Sequence, residues 1–155
     1  MCSAHDEADL IVSAIGVAPF DTTADEDVRT RVLRSIVERR GQSRFRSSLV
    51  EAYSAKCAIS GCDALSVLEA GHIIPYRGDP SDDVMNGLLL RSDLHTLFDL
   101  MLLWIDEQMC VRVRQDLKST AYQELDGKAL TMPASCEHWP SHDALKAHRE
   151  AAKNM

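Results

Sequence analysis

Four polar side chains between residues 69 and 99 have the types and the spacing to perform hydrolytic chemistry. His72 stands at the mouth of the apolar run in "EAGHIIPY", at the end of a strand-like segment, where a buried strand has little use for an imidazole. Asn86 directly precedes the short apolar run "GLLL". His95 and Asp99 are four residues apart in a segment with a helical pattern, so both side chains project from one face. The pattern indicates an imidazole base, an amide that braces a loop, and a pair able to bind a cation.

Hydrolysis of a phosphodiester would use each of these groups. Water is a weak nucleophile, but an imidazole with the ordinary pKa of about 6.5 can accept its proton near neutral pH. A divalent cation held by His95 and Asp99 would stabilise the charge that develops on the phosphate and on the leaving 3′ oxygen. One base and one cation are sufficient for such a reaction. Taken singly, each side chain also has a purely structural interpretation, as a core histidine, a turn asparagine or an exposed acid.

The apolar pattern predicts helices on both sides of these residues. One helix is expected over residues 3–15 and another from residue 23 to Gly41. A last helix should follow "PSHD" near the end of the chain. A further helix, over residues 43–54, would bury one face made of Phe45, Leu49, Ala52 and Tyr53.

Shorter elements are predicted around the candidate residues themselves. β-branched segments after Gly61 indicate strands, and "GLLL" indicates another. The segment "RSDLHTLFDLM" has a helical pattern that begins near Ser92 or Asp93. The segment "LLWIDEQMCVRVR" predicts a hairpin with its turn near residues 106–108. Helices and short strands in this order predict an α+β fold.

Composition limits the class of protein. The chain has 155 residues, of which 45% are hydrophobic and 26% are charged, and these values are ordinary for a globular domain. The sequence has neither a signal-peptide pattern nor an apolar run long enough to cross a membrane. We therefore expect a cytoplasmic protein without a membrane partner. Its five cysteines are an odd number and are expected to be mostly reduced thiols.

The net charge of −7 is distributed unevenly along the chain. Residues 1–28 carry seven acidic and no basic side chains, whereas residues 29–56 carry eight basic and two acidic ones. The acidic total argues against a protein that coats nucleic acid indiscriminately. A basic stripe of this kind is most often a solvated helix face, but it can also contact phosphates.

The order of "GHIIP", then Asn86 in "NGLLL", then His95 in "LHTLFD" resembles the HNH endonucleases, which use a ββα-metal motif. The likeness extends from "RRGQSRFRSSLVEAYSAKCAISGC" to "LDGKALTMP" and is similar to a bacterial subgroup found in restriction and defence. It implies a metal-dependent enzyme that hydrolyses DNA phosphodiester bonds, nicking one strand or, as a homodimer, cutting both. The cation would be Mg²⁺ or Mn²⁺, although an imidazole ligand also admits Zn²⁺ or Ni²⁺.

The resemblance implies a role for each candidate residue. His72 would be the general base, and Asn86 would fix the loop that orients it. His95 would bind the metal, with Asp99 as a second ligand or its support. Contacts to DNA phosphates would come from the basic stripe and from the loop after the base: Arg39, Arg40, Arg44, Arg46 and Arg77.

Two features depart from the family's pattern. Many relatives carry an Asp or His metal ligand immediately before the base, where this chain has Gly71. Either fewer protein ligands hold the metal, or Glu69 reaches it from the same strand face, or the site is weakened. Many relatives also bind zinc through two cysteine pairs. Here Cys57 and Cys62 have no second pair after them, so they are predicted to be core or turn residues.

The expected architecture is therefore α+β, with a ββα-metal core at about residues 57–106. Residues 42–155 would form the HNH nuclease domain, including a C-terminal hairpin and helix extension. Residues 1–41 would form an N-terminal helical arm, acidic first and then arginine-rich. The alternative is a catalytically decayed HNH fold that serves as a nucleic-acid- or partner-binding module, which Gly71 and the acidic total favour.

Overall fold

The structure is a computed structural model that describes residues 43–75 and 83–155. The helices expected over residues 3–15 and from residue 23 to Gly41 lie outside the described residues, and so do Arg39, Arg40 and Arg77. The described part contains three helices, which are α1 (Ser43–Ala52), α2 (Ser92–Asp99) and α3 (His142–Lys153). It also contains four strands, which are β1 (Leu68–His72), β2 (Gly87–Arg91), β3 (Leu103–Ile105) and β4 (Val111–Val113). The prediction of an α+β fold is confirmed.

Two small antiparallel sheets carry the strands. β1 pairs with β2 in a register that places Leu68 opposite Arg91 and His72 opposite Gly87. β3 pairs with β4, and the turn between them begins at Asp106, whose carboxylate accepts the backbone N–H of Gln108 at 2.9 Å. The predicted strand at "GLLL", the hairpin and its turn are therefore confirmed. Helix α2 begins at the residue after β2 ends, and β2 pairs with β1, so β1, β2 and α2 form a strand–strand–helix unit around the candidate residues.

The hydrophobic core lies between this unit and its flanking helices. The predicted face of α1 is confirmed, because Phe45, Leu49, Ala52 and Tyr53 are all buried. In β2 the three leucines are fully buried on both faces of the strand, with α1 on one side and α2 on the other. Among the described helices, none combines the length and the apolar character that a membrane span requires.

Gly87 leaves the space that α1 needs to pack on the end of β2. A Cβ at this position would lie 2.7 Å from Cζ of Phe45 and 2.8 Å from Cδ1 of Leu49, distances that real carbon atoms do not tolerate. We expect Gly87→Ala to lower the free energy of unfolding by about 1–3 kcal/mol, because it overpacks a buried contact. Chemical denaturation measures this loss. The cost should shrink in a Leu49→Ala background, where the cavity accepts the added methyl group, and an undiminished cost there would contradict this explanation.

Helix α3 closes the core on the far side of α2. Ser141 caps it by accepting the N–H of Ala144, so the helix predicted after "PSHD" begins within that segment. His148 is buried, its ring stacks on Phe98 with centroids 3.7 Å apart, and its Nε2 donates to the Phe98 carbonyl at 3.0 Å. Its Nδ1 is buried without a hydrogen-bond partner in the described part of the chain. The helix is thus attached to α2 through a neutral imidazole.

Acid should weaken this attachment. Burial lowers the pKa of His148 below its usual range, and the hydrogen bond to Phe98 and the charge of Asp99 offset that effect only in part. The folded state therefore binds fewer protons than the unfolded state, so the contribution of His148 is complete above about pH 6.5 and is lost as the pH falls from there toward the lower folded pKa. Unfolding free energies measured across this range should fall less steeply for His148→Gln, which keeps an N–H donor and does not titrate. Identical slopes for the two proteins would contradict this assignment.

Candidate functional site

The two faces of β1 present different candidate residues. Side chains alternate along a strand, so Glu69 and Gly71 share one face and His72 lies on the other. The first face packs against α2, where both Glu69 and Gly71 approach His95. His72 faces α1 instead. The structure therefore brings Glu69, His95 and Asp99 together and places His72 at the same strand end but on the opposite face.

His95 is held by carboxylates at both ring nitrogens. Its Nδ1 lies 2.7 Å from Oε2 of Glu69, and its Nε2 lies 3.3 Å from Oδ2 of Asp99, four residues further along α2. The His95 and Glu69 side chains are largely buried, at 16% and 23% exposure, whereas Asp99 is 57% exposed. A carboxylate only accepts, so the contact with Glu69 places a proton on Nδ1. Nε2 lies beside Oδ2 of Asp99 and against the backbone of β1 at Gly71.

Gly71 allows the imidazole of His95 to approach the backbone of β1. A Cβ at position 71 would lie 3.0 Å from Cδ2 and 3.2 Å from Nε2 of His95. Any side chain there would therefore push on the ring at the nitrogen that faces Asp99. The glycine that departs from the family's pattern is thus also the residue that lets this histidine sit against the strand.

The same residues line a shallow cavity that could hold a small cation. Its volume is about 130 Å³, and its lining consists of Glu69, His95, Thr96, Asp99 and Leu100. Within the described ranges, no group of three or more His, Cys, Asp or Glu side chains is arranged to hold a metal ion. The residues present therefore fit a cation that is held by two protein donors, Nε2 of His95 and Oδ2 of Asp99. Mg²⁺ is commonly bound by one or two protein ligands, with water and phosphate completing its shell.

His72 rests on an aromatic platform. Its ring stacks on Phe45 of α1 with centroids 4.2 Å apart and an angle of 11° between the planes. Phe45 is buried, and the His72 side chain is partly exposed. Stacking on Phe45 fixes the plane of the imidazole. The packing of α1 thus determines the orientation of this histidine.

Asn86 joins the start of β2 to the chain that leaves β1. Its Oδ1 accepts the backbone N–H of Ile74 at 2.9 Å, and its Nδ2 donates to the carbonyl of the same residue at 3.1 Å. The carbonyl of Asn86 also accepts the N–H of Ile73 at 2.9 Å. Three hydrogen bonds therefore tie Asn86 to the two residues that follow His72, which is the location expected for a side chain that braces the loop.

The strand–strand–helix unit of β1, β2 and α2 carries three features. These are His72 at a strand end, Asn86 tied to the residues that follow His72, and the His95–Asp99 pair on α2. Comparison with protein families shows which family this unit resembles. Residues 57–106 match the HNH endonuclease family. The expected resemblance is confirmed over these residues, which we call the HNH segment.

Other comparisons extend this result little. No curated protein matches the chain significantly. Among solved structures, the chain is similar to one titled "Modification dependent TagI restriction endonuclease", with 20% sequence identity and a TM-score of 0.48. That similarity covers 67% of this chain and 35% of the other, so the chain spans about a third of the length of that protein.

Of the five arginines predicted to contact DNA, the structure describes two, just before the HNH segment. Arg44 is exposed on α1. Arg46 turns inward, and its guanidinium donates to the carbonyls of Leu65 at 3.0 Å and Leu68 at 3.3 Å. Arg46 therefore anchors α1 to the start of β1, and in this conformation its guanidinium is engaged by protein rather than directed to a ligand.

Two residues important to the site were not singled out from the sequence. The sequence predicts Phe45 only as a buried residue of a helix, and Gly87 only as the first residue of the strand "GLLL". The register of β1 and β2 places Gly87 opposite His72, where the missing side chain leaves room for Phe45 to reach the imidazole. A glycine at the start of an otherwise leucine-rich strand is the signal that could have found this contact, since such glycines often mark close approach.

Proposed function

We propose that the chain is a metal-dependent HNH endonuclease that hydrolyses DNA phosphodiester bonds, with β1, β2 and α2 forming a ββα-metal core. The observation that carries this proposal is the placement of His72, Asn86 and the His95–Asp99 pair within one strand–strand–helix unit that matches the HNH family. The products would carry 5′-phosphate and 3′-hydroxyl ends. One such site nicks one strand, and cleavage of both strands would take a homodimer or two visits.

His72 is the proposed general base. A water molecule at the edge of its imidazole would lose a proton to the ring as the oxygen attacks phosphorus. Phe45 fixes the plane of the ring, and Asn86 fixes the chain that follows it, through both hydrogen bonds to Ile74. Holding a base in one geometry supports catalysis because it removes the entropy loss of aligning it during the reaction.

Nε2 of His95 and Oδ2 of Asp99 are the proposed donors to the cation. When bound, a divalent cation supplies a positive charge that polarises the phosphate and stabilises the leaving oxygen. Nε2 would give its lone pair to the cation, and Asp99 would give a carboxylate oxygen. The metal itself is Mg²⁺ or Mn²⁺ by the chemistry of the carboxylate, while the imidazole also admits Zn²⁺ or Ni²⁺.

Glu69 is proposed to orient His95 rather than to bind the cation directly. Its carboxylate engages Nδ1, which points away from Nε2 on the other side of the ring. Carboxylates in this position fix the tautomer of a ligand histidine and make its other nitrogen a better donor. If Glu69 has this role, it does not replace the metal ligand that is missing at Gly71. The site then has two protein donors.

Phosphate contacts are proposed for Arg44, Arg39, Arg40 and Arg77, which would position the DNA duplex without reading its sequence. Arg44 is exposed on the helix that supports His72 through Phe45. Arg46 is left out of this set because its guanidinium is engaged by the carbonyls of Leu65 and Leu68. The restriction and defence setting remains part of this proposal through the family resemblance.

Supercoiled plasmid DNA provides the direct test. We expect the protein to convert it to the relaxed, nicked form with Mg²⁺ or Mn²⁺, and to lose this activity when the cation is removed by EDTA. Restoring an excess of the cation should restore cleavage, which distinguishes removal of the metal from damage to the protein. Intact plasmid after incubation with each of Mg²⁺, Mn²⁺, Zn²⁺ and Ni²⁺ would reject the nuclease.

A decayed HNH module is the second candidate, and one observation favours it. Gly71 supplies no ligand, so that within the described residues no three His, Cys, Asp or Glu side chains are arranged to hold a metal ion. Calorimetric titration with Mn²⁺ discriminates the two functions, because the nuclease needs a cation site and a decayed module does not. A module would instead bind DNA with a steep salt dependence and without cleavage. Heat of cation binding that disappears in Asp99→Asn would favour the nuclease.

A further inference from the structure

The residues that precede β1 form a tight turn with a cysteine at each end. The backbone N–H of Cys57 donates to the carbonyl of Cys62 at 2.8 Å, and the N–H of Gly61 donates back to the carbonyl of Cys57 at 3.0 Å. Gly61 has a φ of 73°, a left-handed conformation that suits glycine and closes the turn. We call residues 57–62 the cysteine turn. Its two ends are directly paired through the backbone.

This pairing brings the two cysteines to a distance that a disulfide can span. The 2.8 Å hydrogen bond from the N–H of Cys57 to the carbonyl of Cys62 places these two residues side by side, and disulfides join residues whose Cα atoms are about 4.4–6.8 Å apart. Both thiols are free in this structure; Cys57 is buried, and Cys62 is partly exposed. The pKa of Arg91 is raised chiefly by its hydrogen bond to Asp93, and Cys57 and Cys62 add smaller electrostatic contributions, so both cysteines lie near this side chain.

The turn is connected to the start of α2 through Arg91. The sulfur of Cys57 accepts the backbone N–H of Arg91 at 3.3 Å and that of Ser60 at 3.4 Å. The Arg91 guanidinium forms two hydrogen bonds with Asp93, at 2.6 and 2.8 Å, in the first turn of α2. Asp93 in turn accepts the hydroxyl of Tyr122 at 3.0 Å. The sulfur of Cys57 is therefore an acceptor at the junction between β2 and the helix that carries His95.

We propose that Cys57 and Cys62 are a redox-active dithiol that closes reversibly into an intramolecular disulfide. The oxidant is a small disulfide such as glutathione disulfide. Cys62, the more accessible thiol, attacks the oxidant as the thiolate, so that the S–S bond of the oxidant breaks and one glutathione thiolate leaves. Cys57 then attacks the sulfur of Cys62 and expels the second glutathione thiolate. The two cysteines lose two electrons and two protons, which end on two molecules of glutathione.

Closure of this bond changes the junction with α2. To bond with Cys62, the sulfur of Cys57 turns away from the N–H groups of Arg91 and Ser60. The Arg91 amide then loses its acceptor two residues before Asp93. The inference does not depend on the proposed nuclease activity, because it concerns only the thiols and their backbone partners.

Intact-mass spectrometry tests the proposal in the full chain with the other three cysteines replaced, Cys2→Ser, Cys110→Ser and Cys136→Ser. In an excess of glutathione disulfide over glutathione, we expect the loss of two hydrogen atoms, with no glutathione adduct, and recovery of the reduced mass with dithiothreitol. Amide exchange at Arg91 should be faster in the oxidised protein. A chain that stays reduced, or that accumulates a glutathione adduct in place of the internal bond, would overturn the proposal.

Single variants separate the two thiols. In Cys57→Ser, Cys62 should retain one glutathione because the resolving thiol is gone. In Cys62→Ser, the buried Cys57 should stay reduced in the folded protein, which keeps the test valid if Cys57→Ser does not fold. A glutathione adduct on Cys57 in that variant would contradict the order of attack.

Discussion

Replacing His72 with alanine is expected to slow plasmid cleavage by about 10²–10⁴-fold, the range that a positioned general base contributes. His72 is the proposed general base at the end of β1, and Phe45 holds its imidazole in one plane. Alanine at this position keeps the strand and its pairing with Gly87 but removes the proton acceptor. The rate at which supercoiled plasmid disappears at saturating enzyme and cation measures the effect.

The control for His72→Ala is His142→Ala, which removes an exposed imidazole at the start of α3. That variant should cleave at the unaltered rate. The Mn²⁺ titration of His72→Ala should be close to that of the original protein, because His72 faces α1 and the cation pair faces the opposite side of β1. Thermal unfolding of this variant should remain cooperative, which shows that the loss of cleavage is not a loss of the fold. A cleavage rate that His72→Ala leaves undiminished would reject this residue as the base, even if the nuclease itself is confirmed.

Local patterns in the sequence predicted the elements well. The apolar face of α1, the strand at "GLLL", helix α2 and the hairpin around Asp106 are each determined by residues close together in the chain, through periodicity and turn chemistry. The spacing of His95 and Asp99 likewise fixes their relation, because i and i+4 adjoin on any helix. These parts of the site follow from local geometry and are observed as expected.

Contacts between distant segments were not predictable in this way. Phe45 reaches His72 only because α1 packs over β2 at Gly87, and the pattern of α1 identifies Phe45 merely as buried. Arg46 belongs to a basic stripe by sequence, yet its guanidinium satisfies two carbonyls at the start of β1. Glu69 was placed on the correct strand face, but which nitrogen of His95 it engages depends on how α2 crosses the strand. Pairings of this kind are set by packing between elements.

The cation pair gives the second large effect, because Nε2 of His95 supplies one of only two proposed protein donors. We expect His95→Ala to abolish measurable Mn²⁺ binding in calorimetric titration and to abolish cleavage with it. Glu69→Gln should weaken Mn²⁺ binding by about 10–100-fold, since an uncharged amide no longer holds the proton of Nδ1 as a carboxylate does. A matched control is Glu51→Gln on the exposed face of α1, which should leave Mn²⁺ affinity unchanged.

The relative losses of Mn²⁺ binding in His95→Ala and Glu69→Gln distinguish a metal ligand from a residue that orients it. If Glu69 orients His95, as its 2.7 Å contact with Nδ1 suggests, Glu69→Gln should keep weak Mn²⁺ binding, and a higher Mn²⁺ concentration should restore its cleavage. If Glu69 were itself a ligand, Glu69→Gln would lose Mn²⁺ binding as completely as His95→Ala. Full Mn²⁺ affinity in His95→Ala would place the cation elsewhere, and the pairing of Nε2 with Asp99 would then be an ion pair that only stabilises α2, because an i,i+4 contact of this kind stabilises a helix with or without a metal.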